Sequence, residues 1–166
     1  MKDNALILDP CCGGKLFYFD KKDPRVLFGD VREEEISYYH DTRKAIIEPD
    51  LKLDVTNLPF EDGRFRLVVF DPPHFLHAGN ASYMKAKYGI LPEDWQTFLK
   101  KGFAECWRVL NSEFGIVIFK WNEYQIPIKK VLANIPQKPL LGERRGKGNK
   151  THWLIFVKGG DCGQPR

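Results

Sequence analysis

The chain is poor in the residues that would staple it or thread it through a bilayer. Its four cysteines, Cys11, Cys12, Cys106 and Cys162, form no CxxC pair and no alternation with histidine, which argues against a zinc site or a disulfide framework. No apolar run approaches the ~18 residues of a membrane span. Met1-Lys2-Asp3-Asn4 leads into a short run of strand type instead of a signal peptide's apolar stretch, so a cytoplasmic protein without membrane contact is expected. There is no internal repeat and no low-complexity tract. The formal charge of +4 and the pI near 8.8 permit contact with nucleic acid without requiring it.

What is present is enough for one domain with a proper core: 166 residues, 43% of them hydrophobic and 29% charged. A single domain over 1–166 is expected, with no insertion large enough for a separate target-recognition domain. Four short apolar segments in the first half each end in an acid: Ala5 to Leu8 at Asp9, Val26 to Gly29 at Asp30, Leu51 to Leu53 at Asp54, and Leu67 to Phe70 at Asp71. Near-continuous apolar runs suit parallel strands buried on both faces, and ligands of such sheets bind beyond the carboxyl ends of the strands. Any one of these acids could equally cap a helix or start a turn; the repetition points to a crevice lined by acids.

Downstream, the spacing predicts a helix over Pro92 to Leu110, with Trp95, Phe98, Leu99, Phe103 and Cys106 on its inner side. A strand follows from Phe114 to Phe119, then a short helix after Pro127 that carries Val131 and is stopped by Pro136. The chain closes on a possible strand at Leu140-Leu141, a loop at 144–150 and a strand from His152 to Lys158, an antiparallel pair. Residues 32–47 could include a helix, although the tyrosines, His40 and Thr42 blur its period.

The densest chemistry lies at Asp71-Pro72-Pro73-His74, where a buried strand runs into an acid, two prolines and a flat ring. Proline fixes φ and removes a backbone donor, so the Asp71 carboxylate and the Pro72 carbonyl could face a ligand amine. Asp71, His74 and His77 also have the spacing of three metal ligands, but the stiff, extended backbone of the prolines argues against their convergence, and no metal is expected.

Leu8-Asp9-Pro10-Cys11-Cys12-Gly13-Gly14 resembles the DPFxGxG cofactor motif, and Asp71-Pro72-Pro73-His74 the DPPY/F/W/H catalytic motif, of adenine-N6 methyltransferases within the class I S-adenosylmethionine-dependent family. The resemblance spans most of the chain and includes the connection Leu58 to Phe65. It implies an α/β, Rossmann-like methyltransferase fold: a seven-stranded, mostly parallel sheet with an antiparallel C-terminal hairpin and helices on both faces. It implies S-adenosyl-L-methionine as cofactor, held by Asp9, Pro10, Cys11, Gly13 and Gly14 at the methionine part, Asp30 at the ribose hydroxyls, and Asp54 with Val55 at the adenine. It also implies that Asp71, Pro72, Pro73 and His74 are catalytic, with Asp71 and the Pro72 carbonyl accepting the two hydrogens of an exocyclic amine while His74 stacks on the base. DNA is then the expected partner and adenine N6 the expected target. RNA, cytosine N4 and a protein amide remain open, as does a silent cofactor-binding module.

Two further segments belong to this expectation. Ala81 to Gly89 mixes tyrosines with lysines, as a flap over a base or a solvated helix would, and Arg144 to Lys150 carries four cations toward a nucleic-acid backbone or plain solvent. Lys120-Trp121-Asn122 ends a strand at the same crevice edge. The sequence departs from the family pattern at Lys15, which stands at the third glycine position, and in the brevity of Leu16 to Asp23, room for only about two helical turns.

Overall fold

In the computed structural model, which describes residues 2, 4–38, 42–79, 82–143 and 150–159, the apolar runs form strands in the expected places. In chain order these are β1 (Ile7–Asp9), β2 (Val26–Asp30), β3 (Glu34–Tyr38), β4 (Arg43–Ile47), β5 (Leu51–Lys52), β6 (Leu67–Phe70), β7 (Gly115–Asn122), β8 (Leu141–Gly142) and β9 (Thr151–Lys158). Seven of them make one sheet in the order β5-β2-β1-β6-β7-β9-β8. The pairs from β5 to β7 are parallel, and β9 runs antiparallel to both β7 and β8. The chain steps outward from β1 through β2 to β5, then returns to lay β6 on the other side of β1. That reversal opens a crevice beyond the ends of β1 and β6, where Asp9 and Asp71 stand.

Residues 34–47 differ from the helical expectation. They form the antiparallel hairpin β3–β4, with Ile36 opposite Ala45 and Tyr38 opposite Arg43. Burial in β4 follows a period of two, Ala45 and Ile47 inward and their neighbours out, which suits a half-covered strand better than a helix. Against this hairpin packs α1 (Tyr83–Tyr88), which starts at Ser82, whose hydroxyl accepts from the Met84 N–H at 3.2 Å, and ends at Gly89 with φ +74°. Tyr38, Ala45 and Ala86 form a small core of their own.

The main core lies on one face of the large sheet. Register sets Leu8 beside Leu27 and Val68, Val68 beside Val117, and Val117 beside Phe156, so these side chains share a face, and all are buried. Two helices cover them: α2 (Trp95–Arg108) with Leu99, Phe103 and Cys106, and α3 (Ile128–Leu132) with Val131. Helix α2 begins later than Pro92 because the Asp94 carboxylate caps it, accepting from the Thr97 N–H at 3.1 Å. Trp121, fully buried in the same core, donates its indole N–H to the Ile126 carbonyl at 2.9 Å, so it packs and does not wall a pocket.

The opposite face is dressed differently. From β1 to β8 its rows, Ile7-Leu67-Ile116-Val157 and Val69-Ile118-Ile155-Leu141, are just as apolar, yet all but Val69 keep some contact with solvent, whereas on β2 the same face is covered, with Val26 and Phe28 buried beside Cys12. Where a first helix would lie, residues 15–23 run as turns. Asp20 and Asp23 each accept from a backbone N–H two residues on, at 2.8 and 2.9 Å, and such local bonds compete with helix formation. Tyr18 reaches back to pack edge-on against Phe28, and Phe17 against Trp153.

Candidate active site

A cavity of about 370 Å³ occupies the crevice, lined by residues from four strand ends and α1: Cys11, Gly13 and Gly14 after β1, Asp30 of β2, Leu53, Asp54 and Val55 after β5, Asp71 and Pro73 after β6, and Tyr88. Such a volume lies in the roughly 300–1,000 Å³ range of sites for small ligands and cofactors. The β1 and β2 ends meet at its floor. Gly13 adopts φ +48°, and a Cβ there would lie 3.2 Å from the Lys87 carbonyl, so the turn needs glycine both for its left-handed backbone and for the close approach of α1. Its N–H donates to Asp30 Oδ2 at 2.9 Å.

Asp30 is buried and helps to hold this floor together. Besides Gly13, it accepts from the Arg32 N–H at 2.9 Å and from Arg32 Nε at 3.3 Å, both at Oδ1. The Arg32 guanidinium then reaches the Ala86 and Lys87 carbonyls at 3.3 and 3.4 Å, meeting the carbonyl end of α1 with a positive charge. One arginine thus links the acid at the end of β2 to the helix that roofs the cavity. Asp30 and the 81–89 segment stand out in the sequence and Arg32 does not, since its partners lie 54 and 55 residues away.

Asp54 is exposed and turned back on Thr56, whose N–H and hydroxyl both donate to Oδ1 at 2.8 Å; Oδ2 takes no part in either bond. Val55 is buried beside it, and with Leu53 and Phe98 supplies the apolar wall. Pro10 also lines the cavity. Asp9 does not. It is 1% exposed, accepts from the Cys11 N–H at 3.2 Å, and burial pushes its pKa up to about 8, aided by the negative charge of Asp71. A neutral carboxyl under the floor is a weaker partner for an ammonium than the ionised acid expected from the motif.

At the Asp71–His74 turn the structure brings Asp71 and Pro73 to the cavity and leaves His74 behind. His74 is 3% exposed, with Phe75, Tyr88 and Trp121 ring centroids at 4.5, 5.3 and 6.2 Å. Burial, with the Lys120 charge, lowers its pKa to about 4, the Pro72 carbonyl opposing; the ring is therefore neutral. So buried a ring offers no open face to a stacked base; its aromatic neighbours pack on it tilted or edge-on. Pro72 is likewise buried and off the wall. The aromatic surface beside Asp71 belongs to Tyr88, in the segment read as a flap.

Asp71 itself holds an ion pair. Lys120 Nζ lies 3.1 Å from its Oδ1 and 3.0 Å from its Oδ2. Burial raises the Asp71 pKa to about 6, with Lys120 pulling it down. The loop beyond is clamped by Gln125, whose side-chain oxygen accepts from the Leu76 and His77 N–H groups at 2.6 and 3.1 Å while its amide donates to the His77 carbonyl at 2.8 Å. Among the described residues, no three of His, Cys, Asp and Glu converge on a metal-sized site. The cationic loop apart from Lys150, like Cys162, lies outside the described residues.

By sequence, neither a family model nor a curated protein matches the chain. By structure it is similar to the PH0226 protein from Pyrococcus horikoshii, at 16% identity and a TM-score of 0.57, covering 95% of this chain and 84% of that one. It is also similar to a TehB-like SAM-dependent methyltransferase from Corynebacterium glutamicum, at 17% identity and a TM-score of 0.54, covering 93% and 80%. The strand order, the closing antiparallel pair and these likenesses give the chain the Rossmann-like fold of class I methyltransferases.

Proposed function

We propose that this chain is an S-adenosylmethionine-dependent N-methyltransferase that modifies an exocyclic base amine, with adenine N6 of DNA as the leading target. The observation that carries the reading is that Asp71 lines the same cavity as the Gly13 turn, Asp30 and the Asp54–Val55 wall. The residues suit the cofactor: a glycine turn that a Cβ would crowd against Lys87, an acid with an oxygen to spare at Asp54, and apolar side chains for a purine.

When bound, S-adenosylmethionine supplies an electrophilic sulfonium methyl group. The chain's part is to prepare the nucleophile. The lone pair of an aromatic amine is delocalised into its ring, and an acceptor for the amine hydrogens returns it to nitrogen. Asp71 is that acceptor, Tyr88 and Pro73 flank the base, and the carboxylate is placed to take the proton released as the nitrogen is alkylated. DNA as substrate draws its support from the motif resemblance at Asp71 to His74 and from the basic charge of the chain.

The test is to incubate the protein with methyl-labelled S-adenosylmethionine and duplex DNA, single-stranded DNA or total RNA, and to identify the labelled nucleoside by mass spectrometry. N6-methyladenine from DNA supports the reading in full. Label on cytosine N4 or in RNA moves the target and keeps Asp71. Asp71→Ala should still bind cofactor and lose at least about a hundredfold in rate, as when a preorganised hydrogen-bonding group is removed from other enzymes; full activity in that variant overturns the mechanism. Cofactor binding without turnover on any of the three substrates moves the target to a protein amide or makes the chain a silent module.

A further inference from the structure

We propose that Lys120 is a positioning residue for this reaction: a counter-ion, set in place by strand register, that keeps the Asp71 carboxylate ionised and oriented as an acceptor. The inference rests on the reading of Asp71 given above.

Register comes first. In the parallel pair β6–β7, Phe70 is opposite Phe119, so the next residues on each strand, Asp71 and Lys120, are neighbours across the two strand ends. The ammonium bridges both carboxylate oxygens, at 3.1 and 3.0 Å. The two side chains are nearly out of solvent, at 8% and 11% exposure. The lysine is also held from the sides, its Nζ lying 4.8 Å from the Phe17 ring centroid and 5.3 Å from that of Tyr88, which a cation favours. A long side chain gripped by one acid and two rings is a fixture of the site.

A carboxylate offers about four lone-pair sites on its two oxygens. A bridging ammonium uses one on each, and the remaining ones stay available to a substrate amine. The contact therefore orients the acceptor without exhausting it. Charge makes the same point. Burial disfavours the ionised acid, and the other titratable groups near Asp71 do nothing to help: Asp9 at the end of β1 is itself held neutral by burial, Cys11 is a half-buried thiol and Tyr88 on α1 a neutral phenol. Among the described residues, Lys120 is the cation that opposes burial at this carboxylate. Protonated, Asp71 would trade an acceptor site for an O–H donor and lose its pull on the amine hydrogens.

The experiment is an NMR titration of the carboxyl carbons in aspartate-labelled protein, with Asp71→Asn to assign the signal, for wild type, Lys120→Met, Lys120→Gln and Lys120→Arg. No substrate is needed. The expected result is an Asp71 midpoint raised by roughly 1–3 pH units in the Met and Gln variants, the effect of an opposite charge at this range, and largely restored in the Arg variant. Gln keeps a hydrogen bond without the charge and serves if Met does not fold. In parallel, the acidic limb of the pH–rate profile should move by the same amount, with the Met variant recovering rate at alkaline pH. An unchanged midpoint overturns the proposal, as does a Met variant faster than wild type at neutral pH, which would make Lys120 an obstruction. A shifted midpoint in a protein that methylates nothing upholds the counter-ion and counts against the function reading alone.

Discussion

Lys15 occupies a left-handed backbone conformation, φ +56°, at the position where the family motif has its third glycine. For a residue with a Cβ this conformation costs roughly 1–2 kcal/mol, and glycine escapes that cost while giving back about 0.5–1 kcal/mol in backbone entropy. The lysine also gains something, since its Nζ lies 4.7 Å from the Phe28 ring centroid, worth about 0.5–1 kcal/mol at a partly exposed site. Two substitutions separate these contributions. Lys15→Ala loses the ring contact and keeps the strain, so it should destabilise by about 0.5–1 kcal/mol. Lys15→Gly loses the contact and sheds the strain, so it should lie near wild type and about 1 kcal/mol above the alanine variant. In a chain of this length that gap corresponds to roughly 2–4 °C in Tm, measurable by thermal melts and by urea unfolding with unchanged slopes. An alanine variant as stable as the glycine variant would refute the argument, because nothing else distinguishes the two at a residue whose side chain ends at Cβ.

Two other expectations concern the floor and the roof of the cavity. Burial raises Asp9 from an ordinary 3.8 to about 8, so the stability tied to its protonated form is complete below about pH 4 and is lost as pH rises through about 8. Asp9→Asn, which mimics the neutral acid, should therefore gain in Tm over wild type as pH rises through that window, and parallel curves for the two proteins would show that Asp9 is ionised in the fold. Arg32→Ala should release α1 from the end of β2, weakening cofactor binding by about tenfold, or 1.4 kcal/mol, and speeding amide exchange over 83–89; unaltered protection there would mean that the hairpin alone holds the helix.

The parts legible in the sequence were those written in contiguous residues. Each acid follows its own apolar run, so the strand ends and the crevice could be read at Asp9, Asp30, Asp54 and Asp71. What could not be read depends on register or on which way a ring turns. The Asp71–Lys120 pair joins residues 49 apart and emerges only once Phe70 is known to lie beside Phe119. His74 carries the motif's aromatic position, but the motif is silent on whether Phe75, Tyr88 and Trp121 will close around it. The β3–β4 hairpin escaped because its few apolar residues, Ile36, Tyr38, Ala45, Ile46 and Ile47, are shared between two short strands, and the outward Ile46 breaks the alternation.

The one-sided layering of the large sheet gives adjacent residues of a single strand different duties. Phe119 is sealed between the sheet and α2, and truncating it would open a void of the kind that costs about 3–5 kcal/mol. Its neighbour Ile118 already touches water and would forfeit only part of its transfer energy. Mechanically, the strand ends that present Asp71 and Lys120 are braced behind by the edge-on and tilted cluster of Phe70, Phe103 and Phe119, and in front only by the Phe17 and Tyr88 rings against Lys120. The shape of the acceptor site therefore answers to both faces, to the interior of the α2 layer behind the strands and, on the open face, to the few rings that touch Lys120; changes elsewhere on that face can accumulate without being felt at the crevice.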